Sequence, residues 1–161
     1  MRAVLLLLIL AVVHCAPAFA QSSLRAATLK DITNLDVVIS QLSKDVQEAG
    51  LTQSELKADV ELKLRQNGII VTPNSIDGMP LLYVLVSALS NGSGSTFVYH
   101  VEVMLRQFTR LANGAGADAY TWVTGTLAAS DANRFRTSVR QEVQTLVDEF
   151  LKDYASVNPK K

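Results

Sequence analysis

The residues that could support catalysis are few and centre on one histidine. The chain has two histidines and one cysteine, and both His14 and Cys15 stand in an apolar N-terminal leader. His100 and Glu102 lie in a run of alternating apolar and polar residues, which predicts a β-strand. Residues two apart on a strand are separated by about 7 Å, too far for a direct acid–base hydrogen bond. The pattern therefore favours a polar residue on an open sheet face, and a serine hydrolase that uses His100 is the last of three functional hypotheses.

Other recognisable catalytic and metal-binding patterns are missing from the sequence. The serines include no G-x-S-x-G nucleophile elbow. The glycine-rich segments "NGSGS" and "NGAGAD" lack the spacing of a phosphate-binding loop and read as turns. After the apolar N-terminal segment, the chain has one histidine and no cysteine, and its carboxylates do not have the spacing of a calcium-binding loop. The sequence therefore offers no cluster of metal ligands. We therefore expect a protein that is not an enzyme, with no catalytic residues, no metal and no cofactor.

The most suggestive surface is one face of the strand predicted for "TFVYHVEVMLRQFTRL" (96–111). Alternation directs one set of side chains into a core and leaves the other set on the opposite face. Apolar and charged residues mixed on an open sheet are typical of a contact surface. The candidate partner-binding residues are Val98, His100, Met104, Arg106, Phe108 and Arg110. We expect the partner to be a protein, a cell-envelope component or a second copy of the chain, bound through the sheet face or edge.

Aromatic residues suggest two other kinds of binding. Arg106, Phe108 and Arg110 are a weak version of the aromatic and basic pattern of RNA-binding sheets, and Tyr120 with Trp122 could line the adjoining strand. The charge is balanced, with 15 Lys+Arg and 15 Asp+Glu, which argues against nucleic acid as a partner. The second functional hypothesis is a carrier of a small apolar ligand. Its pocket would lie between sheet and helices and be lined by Tyr83, Trp122 and Tyr154.

Strands that could position these residues follow from periodicity and turn signals. They are predicted over 32–42, 69–71, 81–89, 96–111 and 119–128. The first is a half-buried strand, the second a brief apolar burst, and the last three form a meander joined by glycine-rich turns.

Two amphipathic helices complete the predicted fold. In "GLTQSELKADVELKLRQNG" (50–68), Thr52 and Glu55 have the spacing of a capping box, and Gly68 suits a left-handed C-cap. The charged residues between them are expected to form a solvated face. Apolar residues recur at helical spacing from Phe135 to Tyr154. The sequence thus predicts an α+β two-layer sandwich, a mainly antiparallel sheet of about four strands with two helices on one face, in the order β-α-β-β-β-α.

The N-terminus has the pattern of a secretory signal peptide. Arg2 precedes ten consecutive apolar residues, and the segment that ends at Ala20 fits the small-x-small cleavage rule. The apolar run is too short to span a bilayer, and no spanning segment is predicted after it. A retained anchor and lipid attachment at Cys15 stay open as alternatives. We expect an exported protein, periplasmic or secreted, with the signal peptide at 1–20, a flexible leader at 21–30 and one α+β domain at 31–161.

Two segments resemble motifs of a family of small exported bacterial proteins of uncharacterised function. They are "GLTQSELKADVELKLRQNGI" (50–69) and "TLVDEFLKDYASVNPK" (145–160), and the Thr121-Trp122 pair also fits. The resemblance covers most of the chain after the leader and implies no catalytic residues. At fold level, the order of elements is similar to periplasmic assembly proteins such as the TolB N-terminal domain and the lipopolysaccharide-assembly lipoprotein LptE. The leading hypothesis is therefore a non-enzymatic exported domain that binds a protein or envelope partner.

Overall fold

The computed structural model describes residues 24–73 and 78–159. The predicted signal peptide and its cleavage site lie outside the described residues. In chain order the elements are β1 Asn34–Ile39, α1 Lys44–Glu48, α2 Gln53–Gln66, β2 Ile70–Val71, β3 Leu81–Ser90, β4 Thr96–Arg110, β5 Gly116–Asp131 and α3 Ala132–Val157. A further helical turn covers 24–27. No helix within the described parts of the chain is both long enough and apolar enough to cross a membrane.

The strands form one mixed sheet in the order β2-β1-β3-β4-β5. β1 runs parallel to β2 and β3, whereas β3, β4 and β5 are an antiparallel meander. The predicted α+β class is confirmed. The sheet has five strands rather than about four, because the apolar burst at Ile70 and Val71 pairs with β1. The short helix α1 was not predicted, since its five residues bury only Val46 and show no helical period.

The helix α2 begins at the cap that the sequence predicts, and α3 begins at an aspartate cap. The Thr52 hydroxyl accepts a hydrogen bond from the Glu55 amide at 3.2 Å, and the Asp131 carboxylate accepts one from the Arg134 amide at 3.1 Å. Each bond satisfies an amide that has no partner within the helix. Gly68 adopts φ +85° just beyond α2, where a residue without Cβ ends a helix most easily.

The core lies between one face of the sheet and the two long helices. The inward side chains of β4 are Phe97, Tyr99, Val101, Val103 and Leu105, as the alternation predicts, and all are buried. The apolar stripe of α3 packs on them and on β5. It consists of Phe135, Val139, Val143, Leu146, Val147, Phe150 and Leu151. Aromatic rings fill both ends of this layer, with Phe135 stacked on Phe97 at 4.2 Å and Phe150 edge-on to Trp122 at 5.2 Å.

Ion pairs join the solvent side of α2 to α3. Glu55 Oε1 lies 2.6 Å from Arg136 Nη2 and 2.7 Å from Arg140 Nη1. Arg140 also holds Asp59 with two hydrogen bonds of 2.8 and 3.0 Å. The charged face of α2, expected to be solvated, is therefore partly bridged to the neighbouring helix. Because these side chains stay partly exposed, each pair contributes about 1 kcal/mol or less to stability.

Residues 24–30, expected to belong to a flexible leader, instead pack against β5 and the end of α3. Leu29 is completely buried. Arg25 Nη2 lies 2.8 Å from Asp153 Oδ2, and the guanidinium carbon is 4.9 Å from the centre of the Trp122 ring, a cation–π geometry. One buried leucine and one paired arginine fix this segment to the domain, and neither partner could be inferred from the local sequence.

Candidate functional site

The sheet face opposite the helices, here called the outer face, consists of the outward side chains of β3, β4 and β5. Large apolar side chains on it remain 37 to 79 % exposed; they are Leu89, Val98, Phe108, Tyr120, Val123 and Leu127. Single exposed apolar residues are ordinary on protein surfaces, but several on one sheet face mark a surface that contacts something. Strand register determines how these side chains are arranged.

One group of apolar side chains lies near the β3–β4 turn. Val98 stands opposite Leu89 on one side and Ala129 on the other, and Leu127 stands opposite the next outward residue of β4, His100. Because directly opposed side chains lie about 5 Å apart and diagonal ones about 7–8 Å apart, Leu89, Val98 and Leu127 are neighbours. We call these three the first apolar patch.

A second group lies towards the β4–β5 turn. Tyr120 stands opposite Arg106, and Phe108 stands opposite Asp118. A Cβ at Gly116 would overlap the Phe108 ring, so the end of the ring lies over the bare glycine backbone. We call Phe108 and Tyr120 the second apolar patch.

Between the two patches the surface is part apolar and part charged. Met104 lies between Tyr83 and Val123 and is 8 % exposed, so it forms the floor of the outer face. Glu102 and Arg106 flank it on β4, each two residues away. Neither Glu102 nor Arg106 makes a side-chain hydrogen bond or ion pair with the rest of the described chain.

The side chains of His100 and Glu102 both lie against another position without a side chain, Gly125 of β5. Gly125 stands opposite Glu102, and a Cβ there would lie 3.3 Å from His100 Nε2 and 3.4 Å from Glu102 Cγ. Both side chains therefore lie on the open sheet surface, as the alternation predicts. Within 24–73 and 78–159, no group of three or more histidine, cysteine or carboxylate side chains is placed to hold a metal ion.

The six residues expected to bind a partner all belong to the outer face by strand register. They are Val98, His100, Met104, Arg106, Phe108 and Arg110. The sequence reasoning missed the contributions of Leu89, Val123 and Leu127 to this surface. None of the three could be read from the alternation of β4, because strand pairing places Leu89, and both Val123 and Leu127 follow the bulge in β5.

The bulge separates two aromatic residues that sequence alternation places on one face. Leu105 pairs with Trp122 and Arg106 pairs with Tyr120, so Thr121 is an extra residue on β5. An extra residue reverses the alternation beyond it. Trp122 consequently turns into the core and is 1 % exposed, whereas Tyr120 turns outward and is 53 % exposed.

The three aromatic residues expected to line a ligand pocket do not meet. Tyr83 lies on the outer face opposite Met104, whereas Trp122 and Tyr154 lie on the helix side. The Trp122 Nε1 donates to Asp153 Oδ2 at 2.9 Å. The Tyr154 hydroxyl donates to the Ile32 carbonyl at 2.8 Å, and burial raises the pKa of this phenol. The polar atoms of Trp122 and Tyr154 are thus already hydrogen-bonded to other residues of the domain.

Part of the free edge of β5 is covered. β5 is the last strand of the sheet, and its Thr121 and Val123 carbonyls accept hydrogen bonds from Thr28 at 3.2 Å and Arg25 at 3.1 Å. The next stretch of the same strand, "TGTLAAS" (124–130), has no charged residue and no proline. Charges and prolines are common protections of exposed edges, so this stretch is the less protected part of the edge.

An open groove of about 390 Å³ runs along the other surface of the protein, between α2 and α3. Its walls carry the ion-paired residues Asp59 and Arg140, and Leu62 beside them is 57 % exposed. The groove is therefore mainly polar, and the ion pairs between α2 and α3 cross it.

Comparisons with known proteins leave the family open. No protein-family profile matches the sequence, and no curated protein matches it significantly. Among solved structures, a minor lipoprotein from Acinetobacter baumannii is 12 % identical, with a TM-score of 0.41, over 79 % of this chain and 93 % of that one. The PelC dodecamer from Paraburkholderia phytofirmans is 17 % identical, with a TM-score of 0.41, over 76 % of this chain and 86 % of that one. These values are too low to assign the chain to either group.

Proposed function

We propose that the chain is a non-enzymatic exported domain, periplasmic or secreted, that binds a protein partner through its outer face. The observation that supports this most is the set of large apolar side chains left exposed on one side of an otherwise well-buried sheet. Export is supported by the signal-peptide pattern of the first twenty residues.

The chemistry of the outer face defines the partner. Burying a leucine or phenylalanine side chain contributes about 1.5–3 kcal/mol, so the two apolar patches supply the main driving force. Glu102 and Arg106 lie between these patches without partners in the described chain. A matching surface must therefore be apolar and must offer a base to Glu102 and an acid to Arg106, because an unpaired charge at an interface is unfavourable.

In-cell crosslinking tests this proposal. A photo-crosslinking amino acid is placed at Leu127 or Phe108 in the full chain, and at Leu62 as a control of similar exposure on α2. Products specific to the outer-face positions are identified by mass spectrometry. They comprise either the chain itself or another protein.

The identified partner is then purified and its affinity for two variants is measured. Leu127→Ser should weaken binding by about ten-fold or more, since losing the burial of one leucine amounts to at least 1.4 kcal/mol. Leu62→Ser should leave it unchanged. Crosslinks that are equally strong from Leu62, or an affinity unaffected by Leu127→Ser, would refute binding through the outer face.

A further inference from the structure

We infer that the protein bound by the outer face is a second copy of the same chain, packed sheet against sheet about a two-fold axis that passes over Met104. The inference rests on the proposed function, because it uses the same face, and it names the partner that the surface fits. Three features of the face support it, namely its charges, its apolar centre and its size.

The charges on β4 are self-complementary about Met104. Glu102 lies two residues before Met104 and Arg106 two residues after it, all on the outer face. Because they are about 13 Å apart along the strand, the two charges cannot pair with each other. A two-fold axis between the sheets and perpendicular to β4 places Arg106 over Glu102 of the second copy, and Glu102 over its Arg106. One axis therefore creates two identical ion pairs, as an isologous interface requires.

The same axis brings apolar residues together at its centre. Met104, Val123 and Tyr83 lie level with one another, so each faces the same residue of the second copy. Farther from the axis, Phe108 comes over His100, and Tyr120 comes over Gly125, against which His100 and Glu102 lie. Leu127 comes over Asp118, so the contact is apolar at its centre and mixed towards its ends.

The dimensions of the face allow a small dimer interface. β4 and β5 overlap over the length of 98–110, whereas β3 overlaps only from Leu81 to Leu85, because it begins at Leu81. Strands lie about 4.8 Å apart and rise about 3.3 Å per residue, so roughly 500 Å² is covered on each copy. Two copies then bury on the order of 1,000 Å², about the least area that a specific interface needs. Facing sheets usually cross at about 30°. Glu102 and Arg106 lie only about 7 Å from the axis, where such a rotation displaces them by about 3 Å, within the reach of an arginine side chain.

Charge reversal tests the axis directly. The full chain is expressed with its own leader, purified as the cell processes it, and studied by sedimentation over a concentration series. Glu102→Arg places two arginines in contact, and Arg106→Glu places two glutamates in contact, so each variant should dissociate at least ten-fold more readily. Glu48→Arg and Lys152→Glu make the same charge changes at exposed positions away from the outer face, and both should dimerise normally.

Restoration of the dimer makes the test specific. Glu102→Arg combined with Arg106→Glu in one chain should return the dissociation constant to within a few-fold of the unmodified protein. An equimolar mixture of the two single variants should also dimerise, because arginines on one copy then meet glutamates on the other at both contacts. Thermal unfolding by circular dichroism verifies that every variant is folded.

The outcomes separate this inference from the proposed function. A dimer whose dissociation constant is unchanged by both charge reversals refutes the face-to-face axis. Pairing along the β5 edge would give that result. The chain could instead be monomeric at concentrations on the order of 100 µM and crosslink through Leu127 to a different protein. That result refutes the inference and supports the proposed function. A monomeric chain with no specific crosslink refutes both.

Discussion

Replacing Asp153 should show how strongly the N-terminal segment is fixed to the domain. Asp153 Oδ2 accepts hydrogen bonds from Trp122 Nε1 at 2.9 Å and from Arg25 Nε at 3.1 Å, and Arg25 Nη2 lies 2.8 Å from it. Asp153→Ala removes all three contacts. Because Trp122 is 1 % exposed, water has little access to its N–H group, and a buried unsatisfied donor costs about 1–3 kcal/mol.

The ion pair adds a smaller amount to this loss. Its side chains are 32 % and 18 % exposed, so solvent screening limits the pair to about 0.2–1 kcal/mol. We therefore expect Asp153→Ala to lower the free energy of unfolding by about 2–3 kcal/mol. Asp153→Asn keeps an oxygen that can accept from Trp122, and it should lose only about 1 kcal/mol.

Denaturant unfolding followed by fluorescence measures these differences, since Trp122 is the only tryptophan of the chain. Asp148→Ala is the matched control, because Asp148 lies on the same helix, is 64 % exposed and pairs with Lys63. The control should change stability by about 0.5 kcal/mol or less. An Asp153→Ala protein as stable as the control, or an Asp153→Asn protein as unstable as Asp153→Ala, would refute the role assigned to the buried tryptophan N–H.

Two further predictions concern the core and its titration. Val143→Asp should abolish cooperative thermal unfolding measured by circular dichroism, because it places an unpaired charge at a fully buried position of α3; a native-like transition would contradict the two-layer packing. Burial raises the pKa of Tyr154 above its usual value, so its stabilising effect is complete below about pH 10 and is lost as pH rises through the higher folded value. Tyr154→Phe should therefore lose about 1 kcal/mol at neutral pH with the bond to Ile32, and its stability should fall less than that of the unmodified protein between pH 9 and 11.5. Equal alkaline slopes in urea denaturation would contradict this account.

The elements that were predicted correctly carry their signals in the local sequence. β4 shows uninterrupted alternation, and its buried and exposed faces follow it from Phe97 to Leu105. The helix α2 is bounded by Thr52 and Gly68, which act on their own neighbours. Such signals are readable because the physical cause and its effect lie within a few residues.

What could not be predicted depends on contacts between distant residues. Glu55 has the spacing to return to its own helix cap, yet its carboxylate binds Arg136, 81 residues away, because α3 lies beside α2. Leu29 looks like part of a polar leader, and only the finished core shows where it is buried. The partner-binding surface was predicted on β4 alone for the same reason, since the register that adds Leu89 and Leu127 is fixed by pairing rather than by spacing.

The extra residue at Thr121 offsets the two halves of β5 by one position in the sequence. Side-chain direction in a strand has a period of two, and the bulge takes up one step of it. A chain without Thr121 would pair β4 and β5 regularly, with Trp122 still in the core and Tyr120 still on the outer face. The loss of this one residue would therefore remove the local bend and twist of the bulge while the outer face and the interior keep their side chains.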